Sequence, residues 1–121
     1  MLNAAKAYEA VAGQIASPRE LEAILLLQAG SRLRAVQNSW DRSRSELDDA
    51  LLFNRKLWSI FLTSVTSTNN PLPTAVRQNV ANLGLFVMNQ TITTLSDPRP
   101  EQLDSLIAIN REVAAGLMGR G

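Results

Sequence analysis

Residues 45–67, SELDDALLFNRKLWSIFLTSVTS, decide the fold. Wound at 3.6 residues per turn, Leu47, Ala50, Leu51, Leu57, Trp58, Phe61 and Val65 fall within an arc of roughly 120°. Such a stripe predicts a long amphipathic helix that buries one face. Residues 66–73, TSTNNPLP, close it: a polar run, two asparagines, then Pro71 and Pro73, which exclude helix continuation.

The same period governs the flanking segments, so the chain reads as helices without a sheet. Toward the N-terminus, Leu21, Leu25, Ala29, Leu33, Val36 and Trp40 form another stripe. Ser17-Pro18-Arg19-Glu20 marks its start: serine can cap, proline suits the first helical position and Glu20 can complete a capping box. Gly30 interrupts this helix and predicts a bend or a close packing contact. A short leading helix is expected over residues 3–16, with Ala4, Tyr8, Val11, Ala12 and Ile15 on one face. Residues 41–45 alternate charge with serine and read as a loop or frayed join.

Beyond the proline connector, a helix starts at Leu72 or Pro73 and runs to about Leu95. Val76, Val80, Leu83 and Val87 line one side, while Leu85, Phe86 and Met88 widen the apolar surface. A helix apolar most of the way round is expected at the centre of its bundle. Residues 96–100 form a second proline break. A last helix follows to about Met118, carrying Leu103, Leu106, Ile107, Val113, Ala114 and Leu117 and ending in glycines. The expected fold is all-α: one domain over residues 1–121, a compact bundle of four principal helices plus the short leading one.

Composition narrows the chemistry. The chain of 121 residues has no histidine and no cysteine, a net charge of +1, 45% hydrophobic and 19% charged residues. Disulfides, thiolate metal sites, Ser-His and Cys-His catalytic pairs and most zinc sites are excluded. Gly13, Gly30 and Gly84 are isolated, so no phosphate loop is present. The carboxylates Asp48-Asp49 and Glu20 with Glu22 read as solvated helix faces, and no Glu-x-x-His element offers di-iron ligands. No enzymatic activity, cofactor or metal is expected. No segment is apolar enough to span a bilayer, and residues 1–15 lack the features of a secretory signal, which makes the cytoplasm the default expectation.

Three features bear on binding. Leu47-Asp48 and Asn54-Arg55 are echoed 56 residues later by Leu103-Asp104 and Asn110-Arg111. Asn54 and Asn110 therefore sit mid-stripe, where a core normally has leucine. Unpartnered, each would cost about 1–3 kcal/mol. They must bond to each other, to the connector backbone or to water, unless one faces a partner. Second, ten of the twelve basic residues are arginine, and Arg32, Arg34, Arg42 and Arg44 gather near Trp40. This is either a solvated join balanced by Asp41 and Glu46 or an RNA-contacting patch. Third, Ile24 and Leu27 on one helix, and Leu85 and Met88 on another, lie outside the main stripes. That surplus is either buried inside the bundle or left as a groove for an amphipathic helix.

Taken in order, these motifs resemble a known family. The run Leu51-Leu52-Phe53-Asn54-Arg55-Lys56-Leu57-Trp58, then Asn70-Pro71-Leu72-Pro73, Ile109-Asn110-Arg111 and Gly116-Leu117 is similar to the FlaF flagellar biosynthesis regulator family. Tyr8 and Ser17-Pro18-Arg19-Glu20-Leu21-Glu22 fit the same pattern, so the resemblance covers almost the whole chain. It implies a small cytoplasmic protein of flagellated alphaproteobacteria, needed for flagellin production and filament assembly. It also implies flagellin as a bound partner, with the protein acting as an export chaperone, and the regulator FlbT as a second partner.

Flagellin ends in amphipathic helices that stay unpaired until the filament assembles, and a groove over Ile24, Leu27, Leu85 and Met88 would cover one. Among the motif residues, Asn54, Arg55, Leu57, Trp58, Asn70, Leu72, Pro73, Asn110, Gly116 and Leu117 read first as structural. Three other readings stand beside the chaperone: an RNA-binding regulator of flagellin translation using Arg32, Arg34, Arg42 and Arg44, a FlbT-binding adaptor without flagellin contact, and a homo-oligomeric structural subunit whose interface consumes the spare apolar surface.

Overall fold

A computed structural model of the protein describes residues 18–119. The leading helix expected over residues 3–16, with Tyr8, and the capping serine at 17 lie outside the described residues. Five helices follow in order: α1 (Pro18–Asn38), the single turn α2 (Trp40–Ser43), α3 (Leu47–Thr66), α4 (Thr74–Ser96) and α5 (Asp104–Leu117). Short 3-10 turns at Arg44–Glu46 and Pro100–Leu103 lead into α3 and α5. The chain is all-α, with four long helices and no strand among the described residues. Pro18 occupies the first turn of α1, where its missing N–H breaks no helical bond.

The segment expected as a loop over residues 41–45 is helical instead. The Ser39 carbonyl accepts hydrogen bonds from the Arg42 and Ser43 N–H groups at 3.0 and 2.8 Å. The Ser39 hydroxyl donates to the Ala35 carbonyl at 2.9 Å, and the Ser39 and Ser43 hydroxyls lie 2.7 Å apart. Serines that bond locally to backbone can carry a chain through a sharp helical corner, which charge alternation does not reveal. The corner makes α1 and α3 antiparallel neighbours. Arg32 of α1 lies over Phe53, near the start of α3, while Glu22 and Leu25 lie beside Phe61 and Ser64, near its end.

The connector after α3 is built as its residues suggest. Asn70 donates from Nδ2 to the Ser64 carbonyl at 3.1 Å, satisfying an acceptor in the last turn of α3, and its Oδ1 accepts the Leu72 N–H at 2.9 Å. Leu72 folds back onto the core, and Pro73 sets the entry to α4. Asn70, Leu72 and Pro73 are thus a turn that reverses the chain.

α4 is the element that departs from expectation. It is not central: it packs on α3, with only a minor contact to α5, whereas α1 packs on both α5 and α3. Its buried residues are Val80, Gly84, Val87, Thr91 and Thr94, a narrow inner face of small side chains. The two threonine hydroxyls are satisfied within the helix, donating to the Val87 and Gln90 carbonyls at 2.7 and 2.8 Å. A β-carbon at Gly84 would come within 2.7 Å of Leu62 Cγ, so α4 lies flush on α3 because that position has no side chain.

The core between α1, α3 and α5 contains Leu25, Leu26, Leu33, Leu47, Leu51, Leu57, Trp58, Leu103 and Leu106, all buried. Trp58 meets Phe61 edge to face, with ring centroids 5.5 Å apart. Asn54 and Asn110 stand fully buried within this apolar volume. Asn110 donates from Nδ2 to Asn54 Oδ1 at 2.7 Å and to the Leu26 carbonyl at 3.1 Å. Its Oδ1 accepts the Trp58 indole N–H at 2.9 Å. Gly30, one turn beyond Leu26, has no side chain to cover that carbonyl, and its α-carbon sits against Asn110. The asparagines therefore bond to each other, as the first of the sequence alternatives had it, and the interruption at Gly30 is a packing contact. Asn54 Nδ2 is buried without a partner.

Removing Asn110 strands the Trp58 N–H and the Asn54 acceptor together. Asn110→Ala is expected to lower stability by about 2–4 kcal/mol. Asn54→Ala, which deletes one bond and one unpartnered donor, should cost less. Urea unfolding followed by far-ultraviolet circular dichroism tests the order; equal losses would mean that Asn110 does not organise the network.

Candidate functional site

With α4 at the edge, one flank of it carries apolar side chains toward solvent, of which Met88 and Leu95 also pack against the core. Ala81, Leu85, Met88, Ile92 and Leu95 recur at spacings of four, three, four and three. This is the heptad spacing by which one helix seats another. Leu85 is 62% exposed and Ile92 58%, while Ala81, Met88 and Leu95 are half-buried. Phe86 adds a further exposed ring on the flank. The polar residues beside the seam are Gln78, Asn82, Asn89 and Thr93, and Arg77 is the only charged residue of α4. The seam is a contiguous helical face of large apolar side chains without a ring of charge, a surface that burial by another helix would stabilise.

The four residues expected to line one groove do not share one surface. Leu85 and Met88 belong to the α4 seam. Ile24 is half-buried on α1, and Leu27 lines a cleft between α1 and α5 of about 300 Å³. The floor of that cleft includes Leu26, Gly30 and Ile107, and Arg34 and Arg111 stand at its rim. Ile92, Ala81, Leu95 and Phe86 join the site from the structure. Their signal was present in the spacing of residues 81, 85, 88, 92 and 95, which makes a second stripe once the first is assigned to the core.

A smaller hollow of about 70 Å³ lies between α1 and α3, lined by Leu25, Leu26, Leu57, Phe61 and Ser64 with Glu22 at its edge. Burial pushes the Glu22 carboxyl above the usual glutamate range, and neighbouring Arg19 partly opposes the shift.

Two of the four arginines cover aromatic rings of their own chain. The Arg32 guanidinium lies 4.5 Å from the centre of the Phe53 ring and the Arg44 guanidinium 5.4 Å from that of Trp40. Arg34 donates to Gln37 Oε1 at 3.2 Å and faces the α1–α5 cleft, whereas Arg42 sits on α2. Among the motif residues, Asn54, Leu57, Trp58, Asn110 and Leu117 are buried in the bundle. Arg55 is exposed on α3, and Gly116 is exposed with nothing within 4 Å of where a β-carbon would stand. No group of three or more acidic or sulfur- or imidazole-bearing residues is disposed to hold a metal ion among the described residues. No described helix is long and apolar enough to cross a membrane.

Two predictions follow from these environments. Leu85→Ser and Ile92→Ser should each change thermal stability by no more than about 0.5 kcal/mol, because neither side chain is buried in the free protein. Val87→Ser, on the inner face, should cost several times more; equal losses would mean that the seam is covered. For Glu22 the folded state holds its proton more tightly than the unfolded chain. Stability therefore falls as pH rises from the usual glutamate range through the raised value. Glu22→Gln should melt higher than the parent at pH 7, and the gap should close below the usual glutamate range, where both side chains are neutral.

The family model of the flagellar protein FlaF matches residues 4–117, nearly the whole chain. Comparison with curated proteins and with solved structures finds no match. The match spans every helix described above, from the α1 stripe through the Asn54–Trp58–Asn110 network to Leu117, and the chain belongs to the FlaF family of flagellar proteins.

Proposed function

We propose that this FlaF-family protein is a cytoplasmic chaperone of flagellin, and that the outer face of α4 is where an amphipathic flagellin helix is held. The observation that carries the reading is the heptad-spaced seam Ala81–Leu85–Met88–Ile92–Leu95, in which Leu85 and Ile92 stand open to solvent beside the half-buried Met88 and Leu95. A helix laid on that seam buries apolar side chains against apolar side chains, with Asn82, Asn89 and Thr93 supplying a polar rim. Covered in this way, a flagellin helix would be kept from self-association until export. Competition with FlbT for the same seam would tie flagellin supply to regulation by mass action.

Sizing-column co-elution with the host's purified monomeric flagellin tests this. A complex is expected at both low and high salt, because the seam lacks charged flanks and apolar burial is little screened. Leu85→Glu combined with Ile92→Glu should weaken binding by at least ten-fold while leaving the circular dichroism spectrum unchanged. A folded double variant that still co-elutes would sink the assignment of the seam. An absence of complex with the parent protein would sink the chaperone reading itself.

A further inference from the structure

The α1–α5 cleft is a second surface, chemically unlike the α4 seam and independent of the reading above. Its floor is apolar, from Leu26, Leu27 and Ile107, and it is opened by Gly30, where α1 carries no side chain. Two arginines stand at its rim, Arg34 from α1 and Arg111 from α5, and none of the lining residues is acidic.

Nor are the two cations neutralised from outside the cleft. Arg99 makes the ion pairs found among the described residues, with Asp97 and Glu101, and neither Arg34 nor Arg111 takes part in one. The two acids of α5 are Glu112, exposed and next to Arg111 in sequence but in no ion pair with it, and Asp104, whose Oδ1 accepts from Gln37 Nε2 at 2.7 Å. Gln37 Nε2 also donates to the Pro100 carbonyl at 2.9 Å, and Gln37 Oε1 accepts from Arg34 at 3.2 Å. Gln37 thereby stands between Arg34 and the Asp104 carboxylate, so that Arg34 meets an amide oxygen and not a carboxylate oxygen. Its positive charge stays available beside the apolar floor.

We propose that this cleft is a docking site for an acidic amphipathic segment of a partner protein. A leucine-like side chain would enter over Gly30, between Leu27 and Ile107, and carboxylates about one helical turn to either side would meet Arg34 and Arg111. The apolar floor selects a protein segment over a nucleic acid, whose phosphates would pair with the arginines but leave the floor wet. Guanidinium groups favour carboxylates through paired N–H donors, which adds register to the apolar contact.

The test uses the full chain, labelled with nitrogen-15, and a 14-residue helical peptide carrying leucine every third or fourth position with flanking glutamates. Amide shifts are expected at Gly30, Ser31, Ile107 and Arg111. A peptide with glutamine for glutamate should bind about ten-fold more weakly, as should Arg34→Gln combined with Arg111→Gln, since two rim ion pairs contribute at most about a factor of five each. Both cleft arginines are exposed, so the double variant should keep its spectrum. No binding, equal binding of the two peptides, or shifts centred on α4 would each overturn the proposal. So would displacement of the peptide from the same amides by a ten-nucleotide oligouridylate at lower concentration, which would make the cleft a phosphate site.

Discussion

The fold turns on one side chain. Asn110 uses both amide hydrogens and its carbonyl oxygen in a volume otherwise filled by leucine, and each of its three bonds reaches a different group: Asn54, the Leu26 backbone and the Trp58 indole. A leucine in its place would satisfy the hydrophobic effect but not the indole N–H, nor would it choose between neighbouring registers of α5 against α1. Buried polar groups of this kind set register at some expense of stability, and here the expense is visible as the unpartnered Asn54 Nδ2. Gly30 adjoins the same device, since its buried position faces Asn110 across the α1–α5 contact. The features that looked like flaws in the stripes, two asparagines and a glycine, form one contact.

Once α1, α3 and α5 are locked around Asn110, α4 has only the remaining side of α3 to pack on. The residues it offers there are small or hydroxyl-bearing: Gly84, Thr91 and Thr94 alongside Val80 and Val87. Close approach at Gly84 and Leu62 compensates in part for the small area, since packing density rather than side-chain size sets the dispersion contribution. Leu83, Met88 and Leu95 reach the core only in part, and Leu85, Phe86 and Ile92 face outward. A free fold seeking only its own stability would place Leu85 and Ile92 inward and the threonines out; the reversed arrangement is the reason the α4 surface reads as a site.

Legibility in the sequence followed the same division. The α3 stripe, the connector with its prolines and the all-α class were readable because periodicity and turn chemistry are local. The pairing of Asn54 with Asn110 was readable as a constraint, since each needed a partner, although Trp58 and the Leu26 carbonyl were not. Two things were hidden. The corner over residues 41–45 depends on the Ser39 and Ser43 hydroxyls replacing loop solvent contacts, which composition does not report. The edge position of α4 depends on Gly84 and the threonines being the inner face, whereas residue hydrophobicity pointed to Leu85, Phe86 and Met88. Apolar residues mark a face to be covered, but not whether the same chain covers it. For that reason Ile24, Leu27, Leu85 and Met88 read as one groove in the sequence, whereas Leu27 lies at the α1–α5 cleft and Leu85 and Met88 on α4.

Two surfaces of different chemistry alter the regulatory logic that a single groove would allow. A shared site makes two partners exclusive, and the output then depends on their concentration ratio. Separate sites permit both to bind, and any coupling between them must travel through the bundle as a difference in free energy that each partner feels equally. The element common to both is the packing around Asn110: its α5 neighbour Arg111 stands at the cleft, its bond to Asn54 holds α3, and α3 carries α4 on its other side. A shift of α5 on α1 that strained these bonds would reach α4 chiefly through α3, since the direct contact of α4 with α5 is minor. Such a shift would be opposed by the loss of several buried contacts, so the geometry favours weak coupling. By that argument, partners held as proposed on the uncharged seam and in the arginine-rimmed cleft would bind independently of each other.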